Sequence, residues 1–161
     1  MKFRWMFISL ALLLTLTASA MAQTSSSVVK VSPGESSYKL KQGAAAKLEL
    51  VLDIDDGYHI NSNRPNDRNL IATALKLDRV QGLVVSPVSY PKAKLQKFEF
   101  SEKPLSVFEG KTVLRLTARA GAALPAGNHV LKGKLTIQAC NNQVCLRPQT
   151  VNVEIPLEVV K

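Results

Sequence analysis

The sequence predicts an all-β sandwich, and three observations carry that expectation. Apolar and polar residues alternate with a period of two along most of residues 29–159, and Gly or Pro breaks part these runs every 8–12 residues. Outside the first 22 residues, no window of twelve or more sustains the i, i+3, i+4, i+7 stripe of an amphipathic helix. Side chains of an extended chain point alternately to two faces, so alternation is what a half-buried strand requires. A chain of 161 residues, 46% hydrophobic and 20% charged, suits a single domain with an ordinary core.

The leading segment is set apart. Met1-Lys2-Phe3-Arg4 is a short basic start, Phe7 to Leu16 a leucine-rich apolar run, and Ala20-Met21-Ala22 an A-x-A cleavage pattern. This is the signature of a secretory signal peptide, expected at 1–22 with cleavage after Ala22, or after Ala20 as the second choice. The apolar run is half of the roughly 20 residues a membrane span needs. No Cys stands at the cleavage point to carry a lipid. The mature domain is therefore expected at 23–161, in an oxidising compartment, with no stable membrane insertion.

Within it, Thr24 to Ser27 is a polar lead expected to stay mobile. Val29 and Val31, then Tyr38 and Leu40, give two short strands broken at Pro33-Gly34. Leu48, Leu50, Leu52 and Ile54 share one face of a longer strand. Asp55-Asp56-Gly57 turns the chain, Tyr58-His59-Ile60 resumes extended structure, and 61–69 reads as a loop. Strands follow at Ala72–Leu77, Leu83–Val88, Lys111–Arg119, Asn128–Gln138 and Thr150–Val159. Eight or nine short strands at this spacing match an immunoglobulin-like β-sandwich.

Composition narrows the chemistry. Without the leader the chain has 19 basic and 12 acidic residues, a charge of +7, and neither Trp nor Met. The lysines are scattered at strand-like spacing, so they read as a solvated basic surface and no nucleic-acid partner is expected. Two Cys and two His leave nothing spare for a metal centre. A site built from Cys140, Cys145 and His59 or His129 is the weakest reading, both histidines being expected at or near the surface, and no metal or other cofactor is expected.

The chemically loaded stretch runs from Ala139 to Pro148, with Cys140 and Cys145 flanking four residues that include Asn141 and Asn142. Antiparallel partners sit about 4.5 Å apart at Cα when not hydrogen-bonded, within a disulfide's tolerance, and an Asn-containing connection suits a hairpin turn. Two uses are open. As a staple, so short a loop contributes roughly 2 kcal/mol, against about 4.7 for a 100-residue loop. As a redox pair, it opens and closes without unfolding a domain, as exchange requires; the residues favour this use. Arg147 shares a side with Cys145 and could favour its thiolate.

Four of the six mature Phe and Tyr residues (Tyr90, Phe98, Phe100 and Phe108) fall within residues 90–108. Lys92 to Pro104 is otherwise polar, a long loop or loose hairpin. Its Phe98 and Phe100 either plug the end of the sandwich or form a movable lid over a reactive site.

At these residues the sequence resembles the amino-terminal periplasmic domain of the thiol–disulfide interchange protein DsbD. The resemblance rests on Ile137-Gln138-Ala139 followed by Cys140 to Thr150, on Asp56-Gly57-Tyr58 with His59-Ile60-Asn61, and on Phe98 to Phe108 with Glu109 to Leu114. It spans roughly residues 30–159. It implies an immunoglobulin-like fold with a redox cysteine pair on a hairpin under an aromatic cap. Cys145 would form mixed disulfides with partners and Cys140 would resolve them. Phe98 or Phe100 would be the cap aromatic, and Tyr58, Asn61 and Arg147 would line the site. Electrons would come from a membrane electron transporter or a thioredoxin-like domain and pass to thioredoxin-like periplasmic proteins, among them disulfide isomerases and those of cytochrome c biogenesis. This chain departs from the family pattern in having four residues between the cysteines rather than five, Arg147 for one proline, and Asn61 for a tyrosine. It ends at Lys161 with no thioredoxin domain, so a free-standing domain is expected to draw its electrons from another chain. The competing reading is a secreted immunoglobulin-like binding or assembly module with a structural disulfide, holding its partner by strand addition.

Overall fold

Alternation in the sequence becomes strand register in the computed structural model, which describes residues 23–161. Twelve strands follow a single 3-10 turn: β1 (Val29–Pro33), β2 (Tyr38–Lys41), β3 (Ala45–Ile54), β4 (His59–Asn61), β5 (Ala74–Leu77), β6 (Leu83–Val85), β7 (Lys94–Gln96), β8 (Leu105–Phe108), β9 (Lys111–Ala120), β10 (Gly127–Ile137), β11 (Ala139–Cys140) and β12 (Gln149–Val160). They form an immunoglobulin-like sandwich. One main sheet runs β1-β3-β9-β6, the other β2-β12-β10-β5, and a small third sheet runs β11-β4-β8-β7.

The main sheets bury what the period of two selects. Leu48 lies opposite Leu116 and Leu50 opposite Leu114 across β3 and β9. Leu131 faces Ile155 and Leu135 faces Val151 across β10 and β12. Leu48, Leu50, Leu114, Leu131, Leu135 and Ile155 are fully buried, each worth roughly 1.5–3 kcal/mol against exposure. β2 runs parallel to the end of β12, pairing Leu40 with Val159. At Gly133 the backbone of β5 comes so near that a Cβ would lie 2.6 Å from the Lys76 carbonyl oxygen.

β1–β6, β9, β10 and β12 answer to the nine strands expected from alternation. The other three, β7, β8 and β11, all belong to the small sheet. Lys92–Pro104 is a loose hairpin, since Lys94–Gln96 pairs with Leu105–Val107. One expectation is corrected. Thr24–Ser27 is not a mobile lead: Ser25–Ser27 form the 3-10 turn and Ser25 is fully buried, because its hydroxyl is drawn into hydrogen bonds with the backbone of the cysteine hairpin. The stretch expected to be a signal peptide, 1–22, lies outside the described residues, among which no helix is long and apolar enough to cross a membrane.

Candidate functional site

The small sheet has two faces with different surroundings. Ala139, Ile60 and Phe108 join the main core. Cross-strand partners project to the same face, so the pairings Cys140–His59 and Asn61–Val107 set these four side chains on the opposite, outer face. Gly57 makes this placement possible. Its φ of +81° closes the turn from Asp55 to Tyr58, where Tyr58 N donates to Asp55 O at 3.1 Å. β4 thereby begins with His59 turned toward the cysteine hairpin.

Cys140 and Cys145 are joined in a disulfide, with Cα atoms 3.9 Å apart. The hairpin is closed by Asn141 N donating to Val144 O at 2.9 Å and Leu146 N donating to Ala139 O at 2.8 Å. The Asn141 side-chain oxygen accepts from Gln143 N and Val144 N, an Asx turn that fixes the tip. Behind the hairpin, Ser25 Oγ donates to Arg147 O at 2.7 Å and accepts from Ala139 N at 2.9 Å, tying both legs together. The two sulfur-bearing residues differ in access: Cys140 is 0% exposed, whereas Cys145 is only half-buried.

An aromatic roof covers the outer face. Phe98, 3% exposed, packs with Leu105 and Val107, and Leu70 packs against them. Its ring stacks on His59 with centroids 3.9 Å apart. Phe100, 37% exposed, stacks on Phe98 at 5.6 Å and lies 6.5 Å from His59. Between the two phenylalanines, Glu99 Oε1 accepts from Asn142 Nδ2 at 2.9 Å, linking the roof to the turn between the cysteines.

Burial governs the polar groups beneath. His59 is 2% exposed, and loss of water pushes its pKa from 6.5 down to about 4, with the Glu109 carboxylate pulling the other way. Its Nε2 and the Oδ1 of Asn61 are buried without a hydrogen-bond partner among the described residues. Asn61 Nδ2 donates to Ile71 O and to Gln138 Oε1, both at 3.0 Å, anchoring the loop after β4 to the cysteine hairpin's approach. A cleft of about 370 Å³ opens beside the site, lined by Asp55, Asp56, Tyr58, His59, Phe98, Glu109 and Asn142 among others.

The expected site residues thus fall as follows. Cys140, Cys145 and Phe98 gather at the hairpin and its roof, with Phe100 as the outer layer. Tyr58 lines the cleft and donates its hydroxyl to Gln23 Oε1 at 3.1 Å. Asn61 is buried under the roof, while the Arg147 side chain is exposed. His59, expected near the surface, is instead enclosed, because Phe98 arrives from 39 positions along the chain to cover it. Ser25 and the Glu99–Asn142 link were not expected at the site, and Gln138, although part of the cysteine motif, was given no role in it; that motif and the place of Asn142 in the hairpin turn were the signals available. His129, the other histidine, makes its contact with the Pro125 carbonyl oxygen. Among the described residues, no group of three or more His, Cys, Asp or Glu stands where it could hold a metal ion.

Residues 27–156 match the family described as thiol:disulfide interchange protein DsbD, N-terminal. No curated protein sequence matches. Among solved structures, the N-terminal periplasmic domain of ScsB from Proteus mirabilis superposes with a TM-score of 0.55 at 13% identity, covering 86% of this chain. This chain spans about half, 49%, of the length of that one. A PapD-like domain of human CEP192 reaches a TM-score of 0.38 at 12% identity, covering 96% of this chain and 98% of its own.

Proposed function

Because the chain belongs to the family of the N-terminal domain of thiol:disulfide interchange protein DsbD, we propose that it is a periplasmic carrier of reducing equivalents working through Cys140 and Cys145. Residues 1–22 are the export signal, removed after Ala22, and 23–161 the working domain. Its partners are thioredoxin-like proteins or a membrane electron transporter, including proteins of cytochrome c biogenesis.

One observation carries the reading: the disulfide bridges a five-residue separation on a face outside the main core, with one cysteine enclosed and the other half-buried. Exchange proceeds by attack of a thiolate on a disulfide sulfur. In the reduced domain the Cys145 thiolate attacks a partner disulfide and forms a mixed disulfide, releasing one partner thiolate. Cys140 then attacks Cys145 Sγ, forms the intramolecular bond, and releases the second partner thiolate. Two electrons pass to the partner. Cys145 is the exchanging sulfur because a partner reaches it, and Cys140 the resolving one because only its neighbour does. Phe98, backed by Phe100, shields the pair between encounters, and Tyr58, Asn61 and Arg147 border the approach.

The test is trapping. Cys140→Ser should accumulate a mixed disulfide through Cys145 with an oxidised thioredoxin-like protein, and Cys145→Ser should accumulate far less. The reading fails when neither variant traps a partner and the native pair resists dithiothreitol while folded.

A further inference from the structure

His59 is the register partner of Cys140 across β4 and β11, and Cys145 is the partner of Cys140 on its other side. Partners in an antiparallel pair project to one face, with Cβ atoms about 4.5–5.5 Å apart. Imidazole, enclosed sulfur and exchanging sulfur therefore stand in one row across three extended segments. The imidazole is 2% exposed, and its Nε2 has no hydrogen-bond partner among the described residues. An unpartnered buried polar atom costs stability, so its retention asks for a reason. Packing alone does not supply one, since a phenylalanine would stack on Phe98 equally well at no polar cost.

We propose that His59 is a catalytic residue of the exchange, the proton acceptor and donor for Cys140, an inference that rests on the function proposed above. With a partner held on Cys145, the Cys140 thiol gives its proton to His59 Nε2 as its sulfur attacks Cys145 Sγ. The Cys140–Cys145 bond forms, the bond from Cys145 to the partner breaks, and the partner sulfur leaves with the electron pair and recovers a proton from the imidazolium. The partner gains two electrons and the cysteine pair loses two. In the opposite direction the imidazolium protonates Cys140 as it departs.

The surroundings suit both states. Asp55, Asp56 and Tyr58 from the β3–β4 turn and Glu109 from the β8–β9 turn line the cleft with His59; Gln96 and Phe98 from the roof and Asn142 from the hairpin are uncharged. Burial keeps the imidazole neutral at pH 7 and so able to accept a proton. Once it is charged, the Glu109 carboxylate and the new thiolate stabilise it. A thiol of ordinary acidity is only a few per cent thiolate at pH 7, so loss of the group that accepts its proton should slow attack by Cys140 about tenfold.

The experiment uses the reduced protein and Ellman's reagent, comparing wild type, His59→Phe, which keeps a ring over Phe98, and His59→Gln. The first thionitrobenzoate reports Cys145 and the second reports attack by Cys140. Both variants should leave the first release unchanged and slow the second about tenfold at pH 7. In wild-type Cys145→Ala, the His59 C2 proton and the Cys140 thiolate should report shared apparent midpoints, a measurement independent of whether either variant folds. Equal second-phase rates in folded variants, or independent titration of the two groups, overturns the role of His59 while leaving exchange intact. A wild-type protein that releases no thionitrobenzoate while folded overturns the exchange function itself.

Discussion

His59 remains uncharged well below its ordinary range because the roof removes its water, and that has a thermodynamic consequence. The unfolded chain binds a proton at about 6.5 and the folded chain only at about 4. Between those values the unfolded state holds more protons, so stability rises with pH and falls on acidification. The His59 contribution is complete above pH 6.5 and is lost progressively toward pH 4, by up to about 3 kcal/mol. Denaturant melts of wild type and His59→Phe at a series of pH values should therefore diverge as pH falls through that window, the variant losing less. The two roof phenylalanines separate at the same scale. Phe98→Ala should cost about 3 kcal/mol by opening a cavity among Leu105, Val107 and Leu70. It should also speed dithiothreitol reduction of the disulfide several-fold. Phe100→Ala, already one-third exposed, should cost less than about 1 kcal/mol, with a smaller gain in rate.

At the scale of elements, the cysteine hairpin is a short structure held by its neighbours. Ser25→Ala removes an acceptor from the buried Ala139 N and a donor from Arg147 O, which should cost about 1–3 kcal/mol. Hydrogen exchange at Ala139 and Leu146 should rise in that variant more than at β3 or β9. Such dependence on distant partners explains what was legible in the sequence. The long strands announced themselves: Leu48 to Ile54 alternates because one face of β3 is buried along its length. β7 is three exposed residues, Lys94-Leu95-Gln96, and β11 is two, so neither has a periodicity of its own to read. The cysteine pair and the aromatic cluster were visible as residue types, and their convergence was not, since Phe98, His59 and Cys140 meet only through the pairing of β4 with β8 and β11.

At the scale of the whole molecule, the main core and the roofed face are separate packings, the first built on the two long sheets and the second on Phe98, Leu105 and Val107. Opening the disulfide should leave the first untouched. The loop it closes contributes about 2 kcal/mol at most, which in a domain of this size corresponds to about 4–8 °C. Calorimetry with and without reductant should show one cooperative transition lowered by no more than that; a larger drop, or loss of the transition, would identify a structural staple. The Ser25 brace carries one more implication. With signal removal after Ala22, only Gln23 and Thr24 precede the serine that grips both hairpin legs, and Gln23 itself receives the Tyr58 hydroxyl. If the proposed cleavage holds, the amino terminus it makes is a structural part of the cysteine hairpin, and a polypeptide begun a few residues later should keep its sandwich yet present a slackened cysteine pair.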